Sequence, residues 1–221
     1  MRIIAGLLLV VASVIPCAGR TASEFFAQAP AEAVPLLTAH DKLDMLDYYH
    51  SGVETATGNT LNGKARLTSE SPMKVTAQVT MVSDLQVAVL PVKGDTIVAF
   101  IETVASPVKD SAISFYRASD WQRLPDATLP AMADFIPAKN RDAVAVTEMP
   151  SIFFVGIDYD PEQELFLIYN NSFDNLPAGE RPDAAKLMDS VQAYRYDGRK
   201  LVRVKEFREK VETLPSTDER Q

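Results

Sequence analysis

The chain has 221 residues and a single cysteine, and 30 acidic residues against 22 lysines and arginines give it a net charge of −8 at neutral pH. This length suits one domain with a substantial core. The acidic balance argues against a nucleic-acid partner, since phosphate binding needs clustered basic residues, which occur only from Arg199 to Lys210.

The first residues have the pattern of a secretory signal. Arg2 precedes an apolar run from Ile3 to Ile15, and the small residues at Cys17 and Gly19 favour cleavage between Gly19 and Arg20. The run is shorter than the roughly 20 residues that cross a membrane, and no comparable run follows. We therefore expect an exported chain, periplasmic or extracellular, with no transmembrane span after processing. A lipoprotein anchored through Cys17 is the alternative.

Two helices are predicted after the signal. Thr21 can cap a short helix from Ala22 to Gln28, and a second helix is predicted from Pro35 to Ser51, with Gly52 just past its end. A spacing of 100° per residue gives the second helix one apolar face, which is expected to lie on a core. The residues assigned to this face are Leu43, Met45, Leu46 and Tyr49.

The hydrophobic period changes to two from about residue 65, which is typical of strands. Two turns are predicted from their residues, Asp160 with Pro161 and Asp197 with Gly198. Residues 124–139 are predicted to form a loop with one short helix. Strands are predicted over residues 73–81, 85–92, 96–104, 111–117, 151–158, 164–170, 191–196 and 200–204.

This order of elements excludes a doubly wound parallel fold. We expect an α+β fold in which the two N-terminal helices pack on a curved antiparallel β-meander, with a half-barrel or closed barrel as the alternative. The predicted organisation is a signal peptide over residues 1–19, a single α+β domain over 20–205, and a charged tail over 206–221 that is expected to fray.

The second predicted helix carries a possible metal-ligating cluster. His40, Asp44, Asp47 and His50 follow one another at spacings of four, three and three, and imidazole and carboxylate groups so placed can hold a divalent cation. Because the cluster lies opposite the apolar face, solvated side chains are the favoured interpretation. The sequence therefore predicts no metal site, with His40, Asp44 and Asp47 as weak candidates.

Acidic residues at every second position also resemble the start of a calcium loop. The series begins with Asp158 and Asp160, but Gln163 stands where such a loop requires glycine, and Tyr169 stands at its glutamate position. A polar hairpin tip explains the series better. Asp158 and Asp160 are therefore weak candidates for a metal site.

The sequence assigns no catalytic residue and no cofactor. It has no G-x-S-x-G elbow, no glycine-rich phosphate loop, and no cysteine after ordinary signal cleavage, and both histidines lie on one predicted helix. These observations argue against a hydrolase triad. Paired carboxylates for glycoside chemistry stay open, because 30 acidic residues make some close pair expected by chance.

Several stretches resemble a family of exported proteins from Bacteroidales that is described only as a domain of unknown function. They are Lys42 to Tyr49 followed by Ser51 and Gly52, Asp110 to Tyr116, and Trp121. The resemblance covers nearly the whole chain after the signal. It implies export and a single domain, and it supplies no activity, substrate or catalytic residue.

The resemblance to that group implies one modification. Its exported proteins commonly carry O-linked glycans where aspartate precedes serine or threonine and a further aliphatic or similar residue. Three places match this pattern, which makes Thr96, Ser111 and Ser190 candidates for glycosylation.

The function expected from the sequence is that of a non-catalytic accessory or binding domain of the envelope or periplasm. Its partner would be another envelope protein, a glycan or a lipid. The alternative is a carboxylate-dependent hydrolase that acts on envelope or dietary polymers. A deep acidic cleft would favour the enzyme, and an exposed apolar surface would favour a protein or lipid partner.

Overall fold

The structure, a computed structural model, describes residues 19–92, 95–105, 107–144 and 149–207. The predicted signal segment with Cys17, and most of the predicted tail, from residue 208 on, lie outside the described residues. Among the helices that these ranges contain, none has the length and apolar character needed to span a membrane.

The N-terminal helices begin at threonines. Helix α1 spans Ala22–Gln28 and helix α2 spans Ala39–His50. In α1, the Thr21 side chain accepts a hydrogen bond from the Glu24 N–H, and Glu24 accepts one from the Thr21 N–H. Thr38 and Asp41 repeat this capping box in α2. The predicted start of the second helix at Pro35 was therefore wrong, because Thr38 supplies the cap three residues later.

The buried face of α2 also differs from the predicted one. Leu43 is 51% exposed and Tyr49 40% exposed, whereas Lys42 is buried beside Met45 and Leu46. The Lys42 ammonium donates a hydrogen bond to the Ala29 carbonyl, just past the end of α1, and burial lowers the pKa of Lys42. This contact turns α2 so that a lysine lies inside and a leucine outside.

The strands form two antiparallel sheets, each in chain order, which confirms an α+β fold with an antiparallel meander. The division into two open sheets differs from the single curved sheet that was expected. The first sheet contains β1 (Thr57–Gly58), β2 (Lys64–Glu70), β3 (Lys74–Gln78), β4 (Ser83–Val92), β5 (Asp95–Ala105) and β6 (Lys109–Arg117). The second contains β7 (Val155–Asp160), β8 (Leu165–Asn170), β9 (Val191–Tyr196) and β10 (Leu201–Val204).

The helices and the second sheet cover opposite faces of the first sheet. On the helix side, Phe26 and Met45 pack with Val87 and Phe100. The other face packs on the second sheet through a separate cluster, whose largest fully buried members are Ile101, Phe115, Phe135, Tyr159, Phe166 and Ile168. The first sheet therefore has apolar residues on both faces.

The connection between the sheets contains short helical turns. Met132–Phe135 and Ala138–Asn140 are 3-10 turns, so the predicted short helix in this loop is present only as these turns. Phe135 is fully buried between the sheets and contacts Phe153 at a ring distance of 5.7 Å. A last short helix, α3, spans Asp183–Lys186 and was not predicted.

Candidate functional site

A groove of about 750 Å³ lies between the C-terminal end of α2 and the outer edge of β2. We call it the α2–β2 groove. Its helix side is apolar, with the buried Met45 below and the exposed Tyr49 and Val53 at its mouth. Tyr48 and Leu67 complete this apolar wall.

The groove exists because β1 covers only a small part of β2. Gly52, at φ 65°, follows the end of α2 and turns the chain away from the helix. The chain returns at β1, whose two residues pair with Lys64 and Ala65 of β2. In the described part of the chain, no strand pairs with the outer side of residues 66–70.

Both ends of this unpaired stretch are closed by contacts. The β1 pairing ends at Ala65, and at the other end Nε2 of His50 lies 2.6 Å from the Glu70 carboxylate. Ser23 of α1 also donates to Glu70. About four residues, Arg66 to Ser69, remain open between these contacts, a length of about 13 Å at the rise of a strand.

The two faces of β2 differ in chemistry. Ala65 and Leu67 are buried toward the helices, whereas Lys64 and Arg66 are exposed on the opposite face. Lys64 and Arg66 also line a neighbouring cavity of about 300 Å³ beside the exposed Met81. The open edge of β2 thus has an apolar side and a basic side in an acidic protein.

A second concave region lies between the two sheets. This inter-sheet cleft has a volume of about 510 Å³, and most of the residues that line it are polar. Its acidic residues are Asp84, Asp158 and Asp174, and its other polar residues include Thr76, Gln86, Thr103, Lys109, Ser111 and Asn171.

Two polar residues of this cleft, Ser111 and Gln86, bind the outer edge of β7, and the neighbouring Lys74 also contacts it. The Ile157 N–H donates to Oγ of Ser111 at 3.0 Å, and the Tyr159 N–H donates to Oε1 of Gln86 at 3.3 Å. Nζ of Lys74 donates to the Tyr159 carbonyl at 2.7 Å. Side chains of the first sheet therefore form hydrogen bonds with backbone N–H and C=O groups at the edge of the second sheet.

The structure separates the predicted metal candidates on α2. The exposed His40 and the half-buried Asp44 lie 3.4 Å apart, Asp47 is exposed, and His50 instead contacts Glu70. The residues with described positions contain no group of three or more histidine, cysteine, aspartate or glutamate side chains that could hold a metal ion.

The other two metal candidates have structural contacts. Asp158 accepts from Lys74 at 3.0 Å across the inter-sheet cleft. Asp160 accepts hydrogen bonds from the N–H groups of Glu162 and Gln163, which fixes the turn between β7 and β8. These contacts assign the two carboxylates to sheet packing and turn formation.

The glycosylation candidates differ in exposure. Ser111 is 7% exposed and its hydroxyl bonds to Ile157 and to Thr103, so a sugar there would break both contacts. Thr96 is half-buried at the start of β5. Ser190, just before β9, is exposed.

Sequence reasoning missed the α2–β2 groove. The signal that could have found it is the alternation of Lys64 and Arg66 with Ala65 and Leu67 directly after Gly63, which is typical of a strand with one buried face. The sequence does not show that the preceding strand would stop after two residues.

The comparisons with known proteins identify a family and a fold. No curated protein matches the chain. The chain is similar to the solved structure of a domain of an uncharacterized protein from Porphyromonas gingivalis W83, with a TM-score of 0.67, 18% identity, and coverage of 85% of this chain and 100% of that one. This likeness shows the fold. The family model described as a protein of unknown function, DUF3256, matches residues 15–201, so the chain belongs to that family.

Proposed function

We propose that the protein is an exported, non-catalytic accessory domain of the envelope or periplasm that binds a partner through the α2–β2 groove. The observation that carries this proposal is the combination of an unpaired strand edge with exposed apolar residues. Tyr49 and Val53 stand at the mouth of the groove, beside the open edge of β2. Exposed apolar groups at a concave site favour binding of a partner.

The start of the fold is compatible with the proposed export. Cleavage after Gly19 would leave the Thr21 cap of α1 intact. It would also leave Arg20, whose guanidinium lies 4.1 Å from the centre of the Phe25 ring. Sequencing of the N-terminus of the exported protein tests this part, and a first residue other than Arg20 would reject the proposed cleavage site. A lipid on Cys17 would instead support the anchored form.

The second candidate, a carboxylate-dependent hydrolase, would act at the inter-sheet cleft. Three carboxylates line it, but Asp158 is paired with Lys74 and Asp174 lies 3.2 Å from Arg181. The remaining carboxylate is Asp84. Loss of polymer hydrolysis in Asp84→Asn, with unchanged stability, would favour the enzyme over the binding domain.

The binding function is tested by mapping ligands on isotopically labelled residues 20–221. The probes are phosphatidylglycerol vesicles, peptidoglycan fragments and a pool of random eight-residue peptides. We expect one of them to shift the amide signals of residues 52–56 and 66–69. Val53→Arg should weaken this binding, whereas Val202→Arg should not, because Val202 is a similarly exposed valine on β10.

Signal shifts at the groove that Val53→Arg abolishes support the proposal. Shifts confined to the inter-sheet cleft, equal effects of the two valine substitutions, or no shift with any of the three probes would reject the groove as the binding site.

A further inference from the structure

We infer that the occupant of the α2–β2 groove is an extended polypeptide segment that adds to β2 as a strand and alternates apolar with acidic side chains. This inference rests on the proposed function of the groove and names the chemistry of its partner. Three observations support this inference. They are the open edge of β2, its difference from the covered edge of β7, and the different chemistry of the two faces of β2.

The backbone of β2 determines the class of ligand. Residues Arg66 to Ser69 have no strand partner on their outer side among the described residues. Such an edge presents N–H and C=O groups at the spacing of a strand, and another extended backbone matches that spacing. Acyl chains offer no hydrogen-bonding groups to it, so a polypeptide is the occupant that uses the whole edge.

The edge of β7 shows how side chains of this protein can cover the edge of a sheet. The N–H groups of Val155, Ile157 and Tyr159 all donate to side chains of the first sheet, at 3.1, 3.0 and 3.3 Å. No comparable side-chain contacts cover the outer edge of β2 in the described residues, and a groove lies there instead. The difference points to an edge that is kept available.

The side chains along β2 determine the sequence pattern of the occupant. Neighbouring residues of an added strand point to opposite faces, and each lies beside the residues of β2 on its own face. On the helix face it would meet Leu67 and Tyr48, which favours apolar residues. On the other face it would meet Arg66, with the exposed Lys64 next along the same face of β2, which favours acidic residues.

The local geometry also limits the length of the pairing. The register between β2 and β3 shifts at Thr68, where β2 contains one extra residue. A bulge of this kind bends the strand and increases its twist. Together with the contact between His50 and Glu70, it restricts the added strand to about four or five residues.

The test uses a phage-displayed pool of random eight-residue peptides panned against residues 20–221. We expect enriched peptides to alternate apolar and acidic residues and to slow hydrogen exchange at the amides of residues 66–69. Methylation of alternate backbone nitrogens in an enriched peptide should weaken binding about tenfold or more, because it removes strand hydrogen bonds. A purely electrostatic ligand would not show this dependence.

Charge reversal provides matched variants. Arg66→Glu should weaken an enriched peptide about tenfold, since like charges then face each other across the strand pair. Lys200→Glu changes the charge by the same amount on an exposed residue of the last hairpin and should leave the affinity unchanged. The melting temperature of both variants checks that each is folded.

Four outcomes would overturn the inference. Enrichment no greater than on an unrelated protein, or binding that survives both backbone methylation and Arg66→Glu, would mean that the charges and the bulge of β2 only prevent pairing. Vesicles or peptidoglycan fragments that shift the groove amides while peptides do not would keep the proposed function but reject a polypeptide partner. A concentration-dependent dimer that protects residues 66–69 would make a second copy the occupant.

Discussion

Replacement of Tyr159 by phenylalanine is expected to stabilise the protein. The Tyr159 side chain is fully buried between the sheets, beside Phe166 at a ring distance of 5.0 Å. Its hydroxyl has no hydrogen-bond partner among the described residues. A buried hydroxyl without a partner costs about 1–3 kcal/mol, so Tyr159→Phe should raise the free energy of unfolding by about 1–2 kcal/mol.

Tyr194 is the matched control for this substitution. It is also buried in the second sheet, but its hydroxyl donates to Oε1 of Gln192 at 2.7 Å. Tyr194→Phe should therefore lower the free energy of unfolding by about 1 kcal/mol. Urea denaturation at pH 7 measures both changes in the free energy of unfolding. In thermal unfolding, each kcal/mol should shift the melting temperature by about 2–4 °C for a chain of this size. Equal destabilisation by the two substitutions would refute the reasoning, because Tyr159 would then have a partner.

The alkaline pH dependence provides a second readout for Tyr159. Burial raises the pKa of Tyr159 from 10.0 to about 12. The folded state then holds the phenolic proton more tightly than the unfolded state, so this contribution is complete below pH 10 and is lost as the pH rises toward 12. The advantage of Tyr159→Phe over the wild type should grow through this window, which urea denaturation at pH 9, 10 and 11 checks. A constant advantage would contradict the raised pKa.

Three further outcomes follow from individual contacts. Ser111→Ala should lower the free energy of unfolding by about 1–3 kcal/mol, because the Ile157 N–H loses its acceptor, whereas the exposed control Ser119→Ala should change it by less than about 0.5 kcal/mol in the same urea titration. Asn59→Ala should cost about 2 kcal/mol by thermal denaturation, since the side chain accepts from two loop N–H groups and donates to the Val79 carbonyl just past β3. Peptide mass spectrometry should place any O-linked sugar on Ser190 and leave Ser111 unmodified, and a sugar on Ser111 would contradict the buried position.

Local signals in the sequence were sufficient for most elements. Thr21 caps α1 as predicted, because a hydroxyl before a helix with glutamate three residues later is a local arrangement. Asp197 and Gly198 join β9 and β10, with Gly198 at φ 98°, a conformation that glycine adopts without strain. These features depend on a few neighbouring residues and need no information about the rest of the fold.

Features that depend on distant contacts could not be predicted in this way. The periodicity of α2 placed Leu43 inside, but the buried residue is Lys42, whose ammonium binds the Ala29 carbonyl on another segment. The period of two likewise identifies strands without saying which sheet they join. The α2–β2 groove was missed for the same reason, since it depends on the short reach of β1.

We expect the two sheets to unfold together. Acceptors on the first sheet, such as Ser111 and Gln86, satisfy the outer N–H groups of β7, and Phe115 stacks on Tyr196 of the second sheet at 4.0 Å. Separation of the sheets would leave these groups unpaired and expose the shared core. Residues 20–205 should therefore show one calorimetric transition with equal van't Hoff and calorimetric enthalpies, and the fragment 149–207 should be unfolded by circular dichroism. Two transitions, or a folded fragment, would show that the second sheet is an independent unit.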